Sequence, residues 1–112
     1  MRPVLTHVVL RDTSDKGGSR HLTARLAPSG DVVIEGQDLG SGVEEAFGGG
    51  LREYEWAWTI RAANVRQLAE ALDAEDVLKG LQARFSGDRS SELGSFLEKT
   101  GVPVEFWSRV GD

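Results

Sequence analysis

An α+β fold, an antiparallel sheet of about five strands with three helices packed on one face, is what this sequence predicts. Three observations carry it. Apolar and polar residues alternate with period two in several stretches of the first sixty residues, apolar residues recur at helical spacing over roughly 64 to 100, and residues 104 to 110 return to strand-like composition. Strands followed by a run of helices favour an antiparallel sheet with its helices segregated to one side.

Residues 4 to 11, Val-Leu-Thr-His-Val-Val-Leu-Arg, are rich in β-branched side chains and read as the first strand. Asp12 to Ser19 is all polar or glycine, a loop. A second strand runs from Arg20 to Leu26, with Leu22, Ala24 and Leu26 on one side and His21, Thr23 and Arg25 on the other. Pro28-Ser29-Gly30 has the chemistry of a turn and closes a hairpin onto Asp31 to Glu35. If Val4, Val8 and Leu10 share the core face with the Leu22 set, His7 and His21 are neighbours on the opposite face. Leu5, Val9 and Val33 lie there too, more apolar surface than solvent alone calls for.

Gly36 to Gly42 is too glycine-rich for a regular element, Val43 to Phe47 offers one or two helical turns, and Gly48-Gly49-Gly50 ends them. Glu53 to Ile60 is the clearest strand: Tyr54, Trp56, Trp58 and Ile60 alternate with Glu53, Glu55, Ala57 and Thr59. Two of the three tryptophans are here, so its aromatic face is expected under the thickest part of the core. Asn64 and Gln67 form a capping-box arrangement ahead of the Val65, Leu68, Ala69, Leu72 stripe of a first helix. Asp73 is the expected cap of a second, with Val77, Leu78, Leu81 and Phe85 apolar and Gly80 weakening it. A third spans about Ser90 to Thr100 and stops at Gly101-Val102-Pro103. In the final strand Phe106 and Trp107 must point to opposite faces, so the tail is either sandwiched or leaves one ring partly exposed.

The chain of 112 residues has the size of one domain, and 39% hydrophobic with 28% charged residues places residues 1–112 among ordinary globular domains. The absence of cysteine excludes disulfides, thiolate zinc sites and a cysteine nucleophile. No apolar run approaches the roughly 20 residues that span a bilayer, and no signal-peptide core is visible, so a cytoplasmic protein without a membrane partner is expected. The net charge of −5 is concentrated in residues 31 to 55, whose seven carboxylates face Arg52 alone. Such a middle repels nucleic acid and attracts a basic protein or a cation.

Glycine patterns here lack the context that nucleotide binding needs. Gly40-x-Gly42-x-x-Ala46 leads into a helix of a turn or two with Glu44 and Glu45 where a pyrophosphate would sit, and Gly48 to Arg52 has no P-loop lysine. Asp38, Glu44, Glu45, Glu53 and Glu55 form the candidate binding set, with Trp107 and Arg109 as candidate partner anchors. His7 and His21 lack a third ligand, and no nucleophile elbow is present, so no metal or catalytic residue and no cofactor is assigned.

Gly36-Gln37-Asp38-Leu39-Gly40, Val43-Glu44-Glu45-x-Phe47-Gly48, Glu53-Tyr54-Glu55-Trp56-x-Trp58 and Gly101-Val102-Pro103-x-Glu105-Phe106-Trp107-Ser108 together resemble small actinobacterial proteins described as uncharacterised. The resemblance covers residues 32 to 110 and implies one compact unit without implying an activity. Three functions fit the residues. The first is a non-catalytic, acidic protein-binding domain, such as an inhibitor or immunity-type partner of a basic protein, or a self-associating one. The second is a small-ligand or divalent-cation-binding protein using the 36–55 region. The third is a carboxylate-based hydrolase.

Overall fold

The computed structural model describes residues 6–16, 18–40, 43, 48 and 53–111. Five strands form one antiparallel sheet: β1 (His7–Asp15), β2 (Gly18–Leu26), β3 (Val32–Leu39), β4 (Glu53–Ile60) and β5 (Glu105–Gly111). Their order in the sheet is their order in the chain, so β1 and β5 are its two edges. Between β4 and β5 come α1 (Ala62–Leu72), α2 (Val77–Phe85), a 3-10 turn (Gly87–Glu92) and α3 (Leu93–Thr100). The α+β class is as expected. Glu44 and Glu45, with the short helix expected over 43 to 47 and the three-glycine run, fall largely or wholly outside the described residues.

Pairing carries the first three strands further than their apolar residues do. The polar stretch expected as a loop continues the first hairpin, with Thr13 opposite Arg20, Ser14 opposite Ser19 and Asp15 opposite Gly18. Ladder hydrogen bonds come from backbone and need no apolar side chain, which is why composition understates the strands. β3 likewise runs through Gly36 to Leu39 despite its glycine. Gly36 stands opposite Trp56, and a Cβ there would run into the Trp56 indole, so the ring lies directly over the bare backbone.

A bulge between Val9 and Arg11 sets Leu10 and Arg11 against the single residue Leu22. Leu10 follows Val8 into the core by simple alternation, and the bulge then turns Arg11 to the same side and moves the register beyond it. His21 therefore faces Asp12, while His7, ahead of the bulge, faces Arg25; the histidines expected as neighbours are separated by four ladder positions, roughly 13 Å at the ordinary strand rise. His21 Nδ1 instead lies 3.0 Å from Asp12 Oδ1.

The core lies between the sheet and the helices. Among the described residues its largest fully buried side chains are Leu10, Val32, Ile34 and Ile60 from the sheet and Leu68, Leu78, Leu81 and Leu93 from the helices. Trp56 and Trp58 face the same side but are only half-buried, with ring centroids 4.6 Å apart at 50°. The aromatic strand thus lines the margin of the core, contrary to the expectation of its thickest part. The aliphatic side chains of β1 to β3 fill the centre, and the indoles close its side.

Helix ends also differ from their local signals. α1 begins at Ala62, ahead of Asn64, and the side chain at its N-cap position, Arg61, makes no capping bond. Asp31, next to the β2–β3 turn, supplies the cap instead: Oδ1 accepts from the Ala62 amide at 2.8 Å and Oδ2 from Arg61 at 3.2 Å. Asp73 closes α1 in left-handed backbone, φ 52°, and Asp76 caps α2, accepting from the Leu78 and Lys79 amides at 3.0 and 3.2 Å. Gly80 is a seat more than a weakness, because a Cβ there would come within 2.7 Å of the Ala74 methyl. A 3-10 turn replaces the start of the expected third helix, held by Ser90 Oγ donating to the Gly87 carbonyl at 2.7 Å.

Gly36→Ala should lower stability by about 1 to 3 kcal/mol in denaturant titration, the usual cost of overpacking, because the Trp56 indole must leave its seat. The amide bond from Ala62, aided by Arg61, holds the Asp31 carboxyl below its usual range. Its stabilisation is present above the ordinary aspartate pKa and is lost as pH falls through the lowered folded-state value, so the window opens below about pH 4. Asp31→Asn should therefore melt lower than wild type at pH 7, with the gap narrowing as thermal melts are taken below pH 4.

Candidate functional site

No described helix covers the second face of the sheet, and alternation decides what it shows. On β3 the inward Val32, Ile34 and Gly36 leave Val33, Glu35 and Gln37 outward. On β4 the inward Trp56, Trp58 and Ile60 leave Glu53, Glu55, Ala57 and Thr59 outward. β5 adds Glu105, Trp107 and Arg109, opposite Thr59, Ala57 and Glu55. Small Ala57 lies between Glu35 and Trp107 in neighbouring strands, so the face dips there. The result is a concavity of about 680 Å³ bounded by Thr23, Arg25, Val33, Glu35, Gln37 and Trp107, among others.

At one end of this concavity the charged groups are tied together. Gln37, Glu55 and Arg109 occupy one row across three strands. Gln37 Nε2 donates to Glu55 Oε1 at 3.3 Å, Arg109 Nε donates to Glu55 Oε2 at 3.3 Å, and Arg109 Nη2 donates to Glu53 Oε1 at 3.0 Å. Glu53 and Glu55 are two positions apart on one strand face, where a proton held by Glu53 can be donated to Glu55 as a hydrogen bond. That bond holds the Glu53 carboxyl above its ordinary range, helped by partial burial, and holds Glu55 below its own, helped by Arg109. Glu53 is the group that keeps a proton longer. Glu35 is bridged by Arg25 on the next strand.

The candidate residues named from sequence divide between the two faces. Glu53, Glu55, Trp107 and Arg109 come together on the outer face, with Arg109 ion-paired to both glutamates and offsetting one of their two charges. Asp38 pairs with Tyr54 on the helix-covered side and so does not join them. Trp107 is 53% exposed on the outer face and Phe106 62% exposed on the other, so neither alternative for the tail, a sandwich or a single exposed ring, describes an edge strand that exposes both. Phe106 borders a largely apolar crevice of about 410 Å³ with Trp58, Leu97, Val102 and Val104. Among the described residues no three His, Asp or Glu side chains are placed to hold a metal ion, and no helix is long and apolar enough to cross a membrane. Gln37, Glu35 and Arg25 were missed as site residues. The alternation of Glu35 and Gln37 with Ile34 and Gly36 is a signal once β3 is known to continue past Glu35, and Arg25 alternates with Ala24 and Leu26 on β2.

No family model, curated protein or solved structure matches the chain.

Carboxyl-observed NMR should show Glu53 and Glu55 titrating apart, Glu53 above and Glu55 below the ordinary glutamate value of about 4.3. Arg109→Gln should move both upward by removing the neighbouring cation, and Glu55→Gln should bring Glu53 down toward its ordinary value. The raised Glu53 value makes its contribution to stability fade as pH rises through it, and the lowered Glu55 value makes its contribution fade as pH falls through it.

Proposed function

We propose that this chain is a non-catalytic protein-binding domain that engages a basic partner across the outer face of the sheet. The observation that carries this reading is Trp107, half-exposed in a face that no described helix covers and set beside a concavity. A tryptophan ringed by polar groups has the character of an interface anchor, since its large surface is desolvated only when a partner arrives. Asp12, Glu35, Glu53, Glu55 and Glu105 on this side still outnumber Arg25, Arg109 and the Arg61 that pairs with Glu105, which favours a cationic partner surface and faster encounter with it. An inhibitor or immunity-type partner of a basic protein is the concrete form of the reading.

The carboxylate pair supports binding over hydrolysis. Glu53 and Glu55 sit side by side on one strand and are held by Arg109 and Gln37, whereas glycosidic hydrolysis needs carboxyl groups on opposite sides of a cleft. A small-ligand role is favoured by a different feature, the crevice beside Asp38 and Trp56 on the helix-covered side.

Affinity capture from native lysate with quantitative mass spectrometry tests the proposal, comparing wild type with Trp107→Ala, Glu35→Lys and, as a surface control, Arg66→Ala. The expected outcome is a basic protein enriched by wild type and by the control and depleted at least about tenfold by each of the other variants, the loss typical of an anchor worth more than about 1.4 kcal/mol. Equal recovery by all four proteins would remove the outer face as the contact surface.

A further inference from the structure

The described arginines fall into two groups. Arg25, Arg61, Arg66, Arg89 and Arg109 are ion-paired, and Arg84 lies over the Phe96 ring. Arg11 and Arg20 alone among them have no such partner, and both line one crevice of about 200 Å³ between the sheet and the 3-10 turn. The bulge in β1 puts Arg11 opposite Leu22, whose side chain is in the core, and Arg20 is diagonal to it on β2. Like charges on adjacent strands cost stability. Asp38 stands directly across from Arg20 in the ladder without forming an ion pair with it.

Around these three charges the walls are aromatic and hydroxylic. Trp56 and Trp58 line the crevice with their tilted indoles, and Ser90 and Ser91 line its far side. Ser90 Oγ gives its proton to the Gly87 carbonyl and keeps lone pairs to accept.

We infer that this crevice binds a small aromatic monocarboxylate. Guanidinium groups match a carboxylate fork to fork, and flat indole surfaces take a ring. Arg11, Arg20 and Asp38 together leave one excess positive charge, which a monoanion balances and a dianion overshoots. The volume is below the roughly 300 to 1,000 Å³ of sites for drug-sized ligands, which limits the ligand to about one ring. The site is on the opposite side of the sheet from Trp107 and does not rest on the protein-binding reading.

Benzoate is the probe, used on the full chain carrying Trp107→Phe so that fluorescence comes from Trp56 and Trp58. Saturable quenching or shift, a raised melting temperature and weaker binding in salt are expected. Benzamide, the neutral analogue, should bind at least about tenfold more weakly, and Arg11→Gln/Arg20→Gln should lose at least about tenfold in benzoate affinity. That double variant should melt no lower than its parent without ligand, because it relieves like-charge repulsion, whereas arginines with only a structural role would melt lower on removal. Asp38→Asn should tighten benzoate, which keeps the test alive if the double variant fails to fold. No saturable response by about 10 mM benzoate, equal binding of benzamide, tighter binding of inorganic phosphate than of benzoate, or affinity unchanged in both Arg11→Gln/Arg20→Gln and Asp38→Asn would each overturn the assignment.

Discussion

The pairing of Gly36 with Trp56 is the contact on which the rest of the sheet depends. An indole lying over a glycine locks β3 to β4 at a single register, because any other residue opposite Trp56 would bring a Cβ into the ring. A slip of β4 by one position would turn Trp56, Trp58 and Ile60 out of the core and carry Glu53 and Glu55 into it. Both faces, and everything mounted on them, follow from that register.

With the register set, the molecule has two chemically different sides. The inner side is aliphatic at its centre and ends in the two indoles and the unpaired arginines. On the outer side most charges are compensated within the sheet: Arg25 meets Glu35, and Arg109 spans Glu53 and Glu55. The acidic middle of the chain is therefore less bare than its composition implies. Trp107 supplies the outer face with apolar surface, half-exposed because the residue opposite it in the ladder is the small Ala57.

The short connections between elements work by a related economy. Asp31 ties the β2–β3 turn to the start of α1 and, through Arg61, to Glu105 on β5, so one carboxylate and one guanidinium link three parts of the chain. Gly80 lets α2 approach the end of α1, and a Cβ on Gly94 would stand only 3.3 Å from the edge of the Trp58 ring, so glycines at helix surfaces set how closely the helices pack on one another and on the sheet.

Patterning by itself determined the class of fold, the five strands, the helical second half and most of the buried aliphatic set, because period-two and 3.6-residue alternation report directly on which side chains leave water. It also singled out Asp38, Glu44, Glu45, Glu53, Glu55, Trp107 and Arg109 as candidates. Tertiary structure decided their relations. That Arg109 bridges the glutamates, that Asp38 lies on the other side, that Asp31 rather than Asn64 caps α1, and that Arg11 turns inward at a bulge all depend on which strands are neighbours and in what register. Those are contacts between residues many positions apart in the chain, and local spacing holds no record of them. Polar strand extensions and the glycine under Trp56 were hidden for the same reason: backbone pairing and the space demanded by a ring on the next strand leave no periodic signal of their own.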